Sequence, residues 1–359
     1  MKLLFISRAY PPILGGIENQ NAALGKWLPR HADVTTIANK RGKRFLPIFL
    51  PYATFVSLIL APRYDVVLLG DGVLGCVGWF LKSIYRKKPI LSIVHGLDMS
   101  YASPLYQALW VRRFLPSLDG LIAVSHETKK LGIAHGIPMG KFSVVPNGVE
   151  PPEEPATFSG KDLEAFLGMP VSGKNILLTV GRLAKRKGVA WFVRNVLPIL
   201  PENTLYLVAG SGPEEPHILE AISKSGMEAR TRLLGRISDS DRLMLLRTAH
   251  LFIQPNIPVK HDIEGFGIAL IEASAEGLPV VASRLEGLQE AIADGQNGLL
   301  AEPEDPQSFK EAITKLLSDE DERKRFGERA RAFTREHYHW EKISAQYMEI
   351  LSDFVKNPR

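Results

Sequence analysis

The sequence predicts an α/β protein in which two doubly wound parallel sheets follow one another along the chain. The first observation is the length of 359 residues, which exceeds what one small hydrophobic core accommodates. The second is a series of short Val-, Ile- and Leu-rich runs that alternate with helical stretches, a pattern typical of parallel strands buried on both faces. The third is PNGVEPPEEPATFSG (146–160), a Pro-, Gly- and Glu-rich stretch without periodicity that is typical of an interdomain linker.

Apolar runs on both sides of the linker are predicted to be strands. In the first half they are KLLFIS (2–7), DVTTIA (33–38), DVVLLG (65–70), PILSIVHG (89–96), GLIAVS (120–125) and FSVVP (142–146). In the second half they are NILLTVG (175–181), TLYLVAG (204–210), TRLLG (231–235), HLFIQP (250–255), PVVAS (279–283) and GLLAE (298–302). Open parallel sheets bind ligands outside the carboxyl ends of their strands, so we expect two crevices that face each other across a cleft.

The linker divides the chain into a predicted first domain of residues 1–152 and a predicted second domain of residues 153–338. The amphipathic stretch HWEKISAQYMEILSDFV (339–355) is predicted to be a long helix that packs back across the join and completes the first domain. MKLLFISRAYPP is predicted to be a strand and a turn and not a signal peptide, because its apolar run is too short and Arg8 follows at once.

Composition and charge limit the functional classes. The chain has 45% hydrophobic and 23% charged residues, which is ordinary for a folded protein. Its one cysteine, Cys76, excludes an internal disulfide and a cysteine-rich metal cluster, and fits the cytoplasmic location that we expect. Residues 1–150 hold 18 Lys or Arg and 8 Asp or Glu, a net charge of +10, whereas the remaining residues hold 26 and 31, a net charge of −5.

The basic first half has three interpretations. It could face an anionic membrane, it could face nucleic acid, or it could be a solvated basic surface. Nucleic-acid binding is disfavoured, because the basic residues lie in scattered clusters and the sequence has no recognised nucleic-acid-binding motif. The other two interpretations stay open.

The stretch EGFGIALIE (264–272) places two carboxylates on either side of a glycine-rich turn. We expect a loop that carries Glu264, a helix that begins near Gly267 or Ile268, and Glu272 about one turn inside that helix. This arrangement gathers free backbone N–H groups, the positive end of a helix dipole and two strong acceptors around one spot. It suits a ligand that is anionic in one part and rich in hydroxyls in another.

The turn GRLAKRKG (181–188) follows the first strand of the second half directly. Arg182 and Lys187 flank this turn before a helix that begins near Val189. A guanidinium and an ammonium at one strand end suit a diphosphate, whose negative charge grows when it departs as a leaving group. The alternative is a solvated basic loop.

Two further strand ends in the first half carry groups suited to a ligand. In GGIE (15–18), Gly15 and Gly16 allow close approach of the backbone, and a helix starting at Ile17 offers its N-terminus. In SIVHGLD, His95 follows another strand, where an imidazole can bond a sugar hydroxyl or steady a developing charge. A structural or merely exposed histidine is the alternative.

The stretch LLGDGVLGC contains a GxGxxG pattern at Gly70, Gly72 and Gly75, which suggests a nicotinamide-dependent oxidoreductase. The pattern follows the third strand of its half and not the first. The next strand ends in His95 where a dinucleotide-binding fold has an acidic residue, and Asp98 arrives later in the loop. The oxidoreductase reading is therefore disfavoured.

Asp239 and Asp241 in ISDSDRLMLL look like a metal-binding DxD pair. Their position before an apolar run indicates instead the cap and first turn of a helix, where Asp is favoured. Since no other spacing of His, Cys, Asp or Glu indicates a metal site, we predict none.

The combination of Glu264 and Glu272 around a glycine-rich turn, GRLAKRKG, GGIE, VPNGVE and LIEASAEGLPVVAS resembles the retaining glycosyltransferases of family 4. The resemblance covers nearly the whole chain. It implies the GT-B fold, with an N-terminal Rossmann-like domain that binds the acceptor and a C-terminal Rossmann-like domain that binds a nucleotide-sugar donor.

The resemblance also implies a reaction. A hexose-type sugar passes from an NDP-sugar, with UDP or GDP expected, to a glycan or lipid-linked acceptor in polysaccharide or cell-envelope biosynthesis. The anomeric configuration is retained, usually in an α-linkage, by front-face departure of the diphosphate, and neither a metal nor another cofactor is required.

Residue roles follow from the same resemblance. Arg182 and Lys187 are assigned to the donor diphosphate, Glu272 to the ribose hydroxyls, Glu264 to the donor sugar near the reaction centre, and His95 to a place beside the transferred sugar. The further donor contacts are the backbone N–H groups of Phe266, Gly267 and Ile268, the phosphate-approaching Gly15 and Gly16, and the base-receiving turn at Arg236 and Ile237.

The acceptor side is indicated by FLPIFLPYATFVSLILA (45–61), an uncharged run between the basic clusters KRGKR (40–44) and KSIYRKK (82–88). Pro47 and Pro51 and the marginal length argue against a spanning helix. An apolar face flanked by cations suits peripheral contact with the anionic inner face of a membrane, and hence a membrane-borne acceptor. A buried helix of the first domain is the alternative, and both stay open.

Two other functions on the same fold are kept as alternatives. One is a catalytically silent subunit that binds a nucleotide-sugar or a glycan, and the other is an NDP-sugar epimerase. A phosphorylase is disfavoured, because nothing in the sequence indicates a pyridoxal phosphate lysine.

Overall fold

The structure is a computed structural model, and it describes residues 1–13, 15–150 and 157–357. The predicted boundary between residues 152 and 153 lies outside the described residues. The chain forms two compact units, and each is contributed by more than one segment. Unit 1 comprises Met1–Gly148, His261–Phe266 and Tyr338–Arg359, and unit 2 comprises Val149–Lys260 and Gly267–His337.

Unit 1 is built on a parallel sheet with the order β2-β1-β3-β4-β5-β6. Its strands are β1 (Lys2–Ser7), β2 (Asp33–Ala38), β3 (Val66–Leu69), β4 (Ile90–Val94), β5 (Gly120–Ala123) and β6 (Phe142–Val144). Every residue of β3, β4 and β5 is buried, because helices cover both faces of a doubly wound sheet. The predicted strands of this half are confirmed, with ends that differ by at most two residues.

Helices and single turns connect these strands. They are α1 (Gly16–Trp27), α2 (Leu46–Leu60), α3 (Gly75–Ile84), α4 (Leu97–Ser100), α5 (Pro104–Tyr106), a π-helical segment (Gln107–Phe114), α6 (Leu115–Ser117) and α7 (His126–Ala134). Short 3₁₀ turns occupy Leu28–Arg30, Lys43–Phe45, Ala61–Arg63, Gly72–Leu74 and Met139–Lys141. The strands and helices share one apolar core, to which α2, α3 and the π-helical segment all contribute.

Unit 2 repeats the architecture with the strand order β12-β11-β10-β7-β8-β9. Its parallel strands are β7 (Asn175–Val180), β8 (Thr204–Ala209), β9 (Thr231–Gly235), β10 (Leu251–Gln254), β11 (Val280–Ser283) and β12 (Leu299–Ala301). The predicted strands of the second half are therefore confirmed as well. Two α/β units with parallel sheets match the predicted fold class.

The helices of unit 2 enclose a second core centred on Phe192, Tyr206 and Phe309. They are α8 (Gly160–Leu167), α9 (Val189–Asn195), α10 (Glu215–Lys224), α11 (Asp239–Thr248), α12 (Ile268–Ala275), α13 (Leu288–Ala291), α14 (Pro306–Leu317) and α15 (Glu320–Tyr338). The 3₁₀ turns of this unit are Lys185–Lys187 and Leu197–Ile199.

The last helix, α16 (Trp340–Lys356), belongs to unit 1, where it packs against α1. Tyr347 is fully buried, and its hydroxyl accepts a hydrogen bond of 3.1 Å from Gln20 Nε2. A Cβ on Gly148 would lie 2.6 Å from the ring of Trp340, so the indole occupies the space that a side chain would need. The absence of a side chain at this position lets the helix approach closely.

The strand orders locate a topological switch point in each sheet, where ligands bind in open α/β folds. In unit 1 it lies between β1 and β3, and in unit 2 between β7 and β10. The two loops at the second switch point touch: a Cβ on Gly188 would meet the carbonyl oxygen of Pro255, and Ile257 N donates to Arg186 O at 2.9 Å. The chain after β7 and the chain after β10 are thus held side by side.

This contact predicts that Gly188→Ala destabilises the protein more than Gly226→Ala does. Both glycines have φ near +65°, which costs an alanine about 1–2 kcal/mol. Only at Gly188 would the new Cβ also meet backbone, which adds about 1–3 kcal/mol. Thermal unfolding followed by circular dichroism should show a midpoint decrease for Gly188→Ala at least twice that of the Gly226→Ala control. Equal decreases would contradict the contact between the two loops.

Candidate functional site

The switch point of unit 2 carries two basic residues at the end of β7. Arg182 is exposed, and it forms no ion pair with any of the described residues. Lys187 is half-buried and ends the 3₁₀ turn that precedes α9. A positive φ at Gly188 lets the chain leave this turn and begin the helix at once, as the sequence predicted. A guanidinium and an ammonium therefore lie at one strand end.

The neighbouring strand ends join this loop. Leu183 N donates to the carbonyl of Ser211, which follows β8, at 3.1 Å. Arg236, which follows β9, donates from Nε to the hydroxyl of Ser211 at 3.0 Å. The structure thus links the turn of Arg236 and Ile237 to the loop of Arg182 through one intervening loop. Sequence reasoning did not single out Ser211, since its place depends on which strands are neighbours in the sheet.

The helix α12 begins beside the same switch point. Gly267 is its N-cap with φ of 85°, a left-handed conformation that favours glycine, and a Cβ there would lie 2.6 Å from Leu288. No side chain of the described residues caps this N-terminus. Leu270 N donates to the Gly267 carbonyl at 2.9 Å, so the donors that this uncapped helix end offers are the N–H groups of Ile268 and Ala269.

Glu272 lies one turn inside α12, as predicted, and forms an ion pair with Arg242 of α11. Arg242 Nη1 is 2.8 Å from Glu272 Oε2, and the two side chains are 34% and 24% exposed. The carboxylate raises the pKa of the Arg242 guanidinium. The pair fixes the carboxylate and leaves its other oxygen, Oε1, able to accept a bond from a hydroxyl. Sequence reasoning missed Arg242, because 30 residues separate it from Glu272 and only the packing of helices brings them together.

In unit 1, His95 follows β4 and is held by its own loop. Asp98 accepts hydrogen bonds from the backbone N–H of His95 at 2.9 Å and of Gly72 at 2.8 Å, and its Oδ2 lies 3.6 Å from His95 Nδ1. The other ring nitrogen, Nε2, lies 2.6 Å from Gln20 Oε1. Burial opposes ionisation of Asp98, but the hydrogen bonds and the charge of His95 outweigh it and lower the pKa of this carboxyl.

These contacts define what His95 can offer a ligand. Its side chain is 8% exposed, and both ring nitrogens face protein groups. Gln20 in turn donates to Tyr347, so the imidazole is tied through α1 to the C-terminal helix. Only a small edge of the ring is accessible. Asp98 and Gln20 are functional candidates that sequence reasoning did not identify, although Asp98 lies only three residues after His95.

The switch point of unit 1 is occupied by an internal ion pair. Arg8 follows β1 and Asp71 follows β3, and Arg8 Nε lies 2.8 Å from Asp71 Oδ2. Asp71 is fully buried, and its Oδ1 also accepts the N–H of Val73 at 2.9 Å. Arg8 is therefore paired with a buried carboxylate and, among the residues that the structure describes, is not an unpaired cation for an anionic ligand. A sequence signal existed: a cation and a carboxylate each follow a strand directly.

The glycine pair lies where predicted, at the start of α1. Gly15 is the N-cap in an extended conformation, and the helix begins at Gly16, which is exposed. A Cβ on Gly15 would lie 2.3 Å from Glu18 Oε2, so the Glu18 carboxylate covers Gly15. An anion that approached this turn would meet a like charge unless Glu18 moved. Sequence reasoning quoted Glu18 in GGIE but assigned it no role.

The segment that carries Glu264 belongs to unit 1 and packs on the end of β4. A Cβ on Gly96 would lie 3.1 Å from the side chain of Ile263, and one on Gly265 would lie 3.6 Å from the carbonyl of His95. Phe266 is buried against Tyr338. The structure therefore brings the segments of Glu264 and His95 together. This segment of unit 1 ends at Phe266, and the chain returns to unit 2 at Gly267.

The GxGxxG pattern is filled by the protein itself. A Cβ on Gly70 would meet Asn21 at 2.8 Å, one on Gly72 would meet Asp98 at 2.9 Å, and one on Gly75 would meet Leu115 at 3.1 Å. Glycines in a dinucleotide-binding turn make room for a pyrophosphate. Here the space holds side chains, which is a packing argument against the oxidoreductase reading.

Asp239 and Asp241 both lie in the first turn of α11, so the predicted helix start is confirmed, but neither of them is the cap. Ser238 is the N-cap of α11, and its side chain accepts a hydrogen bond from Asp241 N while Asp241 accepts from Ser238 N, a reciprocal capping box. Within the described part of the chain, no group of three or more His, Cys, Asp and Glu side chains could hold a metal ion.

The apolar run at residues 45–61 forms a helix with two apolar faces. On one face of α2, Phe49, Ala53 and Ser57 are buried. On the other, Ile48, Tyr52, Phe55 and Ile59 are each more than half exposed. The run is therefore neither wholly core nor wholly surface.

The surroundings of α2 extend this exposed apolar surface. The adjacent helix α3 exposes Phe80 and Ile84, and Lys43 and Arg44 are exposed at the start of α2. The segment Lys43–Arg63 has the length and composition of a membrane-crossing helix, a property that core helices share, but only 22% of its most apolar window is buried.

The Asp98 contacts predict a pH-dependent loss of stability in Asp98→Asn. Since its pKa is lower in the folded state than the unfolded value of about 3.9, ionised Asp98 stabilises the fold above about pH 4, and this contribution disappears as the pH falls through the folded pKa. Urea unfolding should therefore show a loss of about 1–3 kcal/mol at pH 7 that narrows only below about pH 4. The exposed Asp321→Asn is the control, and a loss independent of pH would contradict the assignment.

Two family models match the sequence. One, described as Glycosyltransferase Family 4, covers residues 14–152, and the other, described as Glycosyl transferases group 1, covers residues 168–333. The D-inositol 3-phosphate glycosyltransferase of Corynebacterium urealyticum is 30% identical over 319 residues, which are 82% of this chain and 73% of that protein. The phosphatidyl-myo-inositol mannosyltransferase of Mycolicibacterium smegmatis is 30% identical over 268 residues, which are 73% of this chain and 64% of that protein.

A solved structure shares the fold over the full length. Anabaena HepE in complex with UDP-glucose superposes with a TM-score of 0.76 at 22% identity, covering 98% of this chain and 100% of that one. The family matches and the relatives all indicate a glycosyltransferase, and the two parallel-sheet units match the fold of the solved structure. The chain belongs to glycosyltransferase family 4 and is a glycosyltransferase of the GT-B fold.

Proposed function

We propose that this enzyme transfers a hexose-type sugar from an NDP-sugar, UDP- or GDP-linked, to a glycan or lipid-linked acceptor with retention of configuration. The observation that carries the proposal is the switch point of unit 2. There the loop of Arg182 and Lys187 contacts the chain after β10, which leads within about a dozen residues to the uncapped α12 and to Glu272. Anionic and hydroxyl-rich parts of one donor suit these groups.

Arg182 and Lys187 are proposed to bind the diphosphate. When the bond from the sugar C1 to the phosphate oxygen breaks, negative charge accumulates on the departing diphosphate. Fixed cations stabilise that charge more in the transition state than in the ground state, which is the requirement for catalysis. The N–H groups of Gly267 and Ile268 at the start of α12 are proposed to add uncharged donors to the same oxygens.

The nucleoside is proposed to lie against α11 and α12. Glu272, oriented by Arg242, would accept hydrogen bonds from the ribose hydroxyls, and the turn of Arg236 and Ile237 would receive the base. A carboxylate oriented by a guanidinium presents its other oxygen in a fixed direction, which suits a hydrogen bond from a ribose hydroxyl. The adjacent loops after β7, β8 and β9 support this arrangement.

The sugar end of the donor is proposed to involve Glu264 and His95, whose segments pack together, with Phe266 N–H as a further donor and Gly15 and Gly16 toward the phosphates. In the front-face step, the acceptor oxygen bonds to C1 on the side from which the diphosphate departs. The acceptor hydroxyl proton passes to the departing phosphate oxygen, so no protein base is needed. Retention, usually as an α-linkage, follows, and neither metal nor cofactor takes part.

The acceptor is proposed to be membrane-borne, in polysaccharide or cell-envelope synthesis, with the enzyme peripheral on the cytoplasmic face. The exposed face of α2 and the adjacent Lys43 and Arg44 provide apolar and cationic contact with an anionic bilayer. The relative from Mycolicibacterium smegmatis is named for a phosphatidylinositol acceptor, which is a membrane lipid. A membrane-lipid substrate is the kind of acceptor that the apolar and cationic surface of α2 would suit.

Arg182→Ala and Lys187→Ala should each weaken binding of the cognate nucleoside diphosphate and lower kcat/KM by about 10²-fold, because each removes a charge that the transition state uses. Thermal shifts with UDP, GDP, ADP, CDP and TDP identify the base first. Donor turnover and the anomeric configuration of the product, followed by NMR, give the kinetics and the stereochemistry.

The control is Lys185→Ala, which removes an exposed cation from the same turn. It should leave the affinity for the nucleoside diphosphate and kcat/KM within about threefold of the unaltered enzyme. Inversion of configuration would overturn the retaining mechanism. Nucleoside diphosphate binding without transfer or donor hydrolysis would favour the silent-subunit alternative, and epimerised NDP-sugar would favour the epimerase.

Replacement of three exposed apolar side chains of α2 should strongly weaken membrane binding. The triple variant Ile48→Ser, Phe55→Ser and Ile59→Ser removes apolar area that a bilayer would cover, so cosedimentation with vesicles rich in anionic lipid should fall at least tenfold. High salt should weaken binding of the unaltered enzyme through its cationic contribution.

The control is Leu219→Ser, a similarly exposed apolar side chain on α10 of unit 2. It should leave vesicle binding unchanged. If the unaltered enzyme does not pellet with anionic vesicles, or if the triple variant pellets equally, α2 is not a membrane contact.

A further inference from the structure

A second candidate ligand site lies in unit 2, at the edge of the sheet opposite the donor groups. A cavity of about 730 Å³ is lined by Thr157 and Phe158, by the residues just before β10 and just before β11, and by side chains of α15. Arg182 and the other donor candidates follow the carboxyl ends of the strands, whereas this cavity lies at the amino ends. No role in the proposed function is assigned to it.

The wall of the cavity is strongly cationic. Five basic side chains line it, against two carboxylates, which leaves an excess of three positive charges: Arg247, Arg323, Lys324, Arg331 and Arg335 face Glu276 and Glu320. Both carboxylates are already paired. Arg247 Nε lies 2.8 Å from Glu276 Oε2, with both side chains nearly buried, and Lys324 Nζ lies 2.7 Å from Glu320 Oε1.

Three arginines remain without a carboxylate. Arg323 and Arg335 form no ion pair within the described part of the chain. Arg331 donates from Nη2 to the backbone carbonyl of Glu276, while its buried Nε has no hydrogen-bond partner. A Cβ on Gly277 would lie 3.1 Å from this guanidinium, so the glycine lets Arg331 lie flat against the chain before β11. An unsatisfied buried donor at a cationic cavity points to an acceptor that completes it.

His250 adds a further donor to the wall, which also contains Thr157 and Thr248. Burial lowers the pKa of His250 to about 4, so its ring is neutral at pH 7. Nδ1 accepts the backbone N–H of Ile176 at 2.9 Å, which places the ring hydrogen on Nε2. His250 therefore adds an N–H donor and no negative charge to the cavity.

We propose that this cavity binds a phosphorylated small molecule. Arginine forks match the geometry of phosphate oxygens, and an excess of three positive charges suits a ligand with two or more negative charges. The volume falls within the range of about 300–1,000 Å³ that small-molecule sites occupy. Since α15 holds Arg331 and Arg335 one turn apart on the same face, a single phosphate group can contact both.

The helix α15 packs closely on the chain before β11 beside the cavity. A Cβ on Gly327 of α15 would lie 2.2 Å from the carbonyl oxygen of Gly277, so the helix backbone approaches the chain before β11 directly. A ligand that joins Arg323 and Arg335 on α15 to the chain before β10 would tie the last helix of unit 2 to its sheet.

Isothermal titration calorimetry of the full chain at constant ionic strength tests the proposal, with inorganic phosphate, pyrophosphate and glucose 6-phosphate as probes. The double variant Arg323→Ala and Arg335→Ala should raise the dissociation constant of the best probe at least tenfold. The matched control is Arg325→Ala and Arg329→Ala, which removes two charges from the same helix where both side chains pair with Glu322. This control should bind as the unaltered protein does.

A second arm separates the cavity from the donor site. In Arg182→Ala, binding of the probe should persist unchanged if it occurs in the cavity, and it should be lost if the probe occupies the donor site. The proposal is overturned if none of the three probes binds, or if the double variant on α15 binds as tightly as the matched control. Thermal unfolding of both double variants verifies that each is folded.

Discussion

The burial of both faces of two parallel sheets is the constraint on which the candidate sites depend. A parallel strand that is covered on both faces has no solvent-facing side chains, so polar groups collect in the loops at its ends. All strands of one sheet run in the same direction, and consequently these loops gather along one edge. Arg182, Arg236 and the segment leading to Glu272 are distant in sequence but follow strands that are neighbours or near neighbours in one sheet.

The two switch points have the same topology but differ in whether their cations are neutralised by a carboxylate. In unit 1, Arg8 and Asp71 neutralise each other, and Asp98 is satisfied by His95 and Gly72. In unit 2, Arg182 has no carboxylate partner among the described residues. Burial explains the difference: a charge deep in the sheet edge is stable only if paired, whereas an exposed guanidinium remains hydrated until a ligand arrives. This difference supports the proposal that the diphosphate binds to unit 2.

The hydrophobic pattern of α2 does not predict which of its faces is buried. Every position from Phe45 to Ala61 is uncharged, so the sequence could not say which residues face the core. The structure selects Phe49, Ala53 and Ser57 for the interior, because these lie four residues apart on the face toward the sheet. The opposite face is left apolar and exposed, a feature that only the packing of the helix could reveal.

The sequence by itself determined the strands, the parallel α/β class and the helix start at Gly267, since apolar runs, glycines and caps act over a few residues. The same local reasoning singled out Glu264, Glu272, Arg182 and Lys187 as candidate site residues, and their roles stay predictions. Only the tertiary structure decided that Arg242 holds Glu272, that Asp98 and Gln20 hold His95, and that Glu18 covers Gly15. Two of these contacts, Arg242 with Glu272 and Gln20 with His95, join residues 30 and 75 positions apart, and sheet order and helix packing set their distances. The other two join residues three positions apart and depend on the conformation of the loop or helix start that carries them.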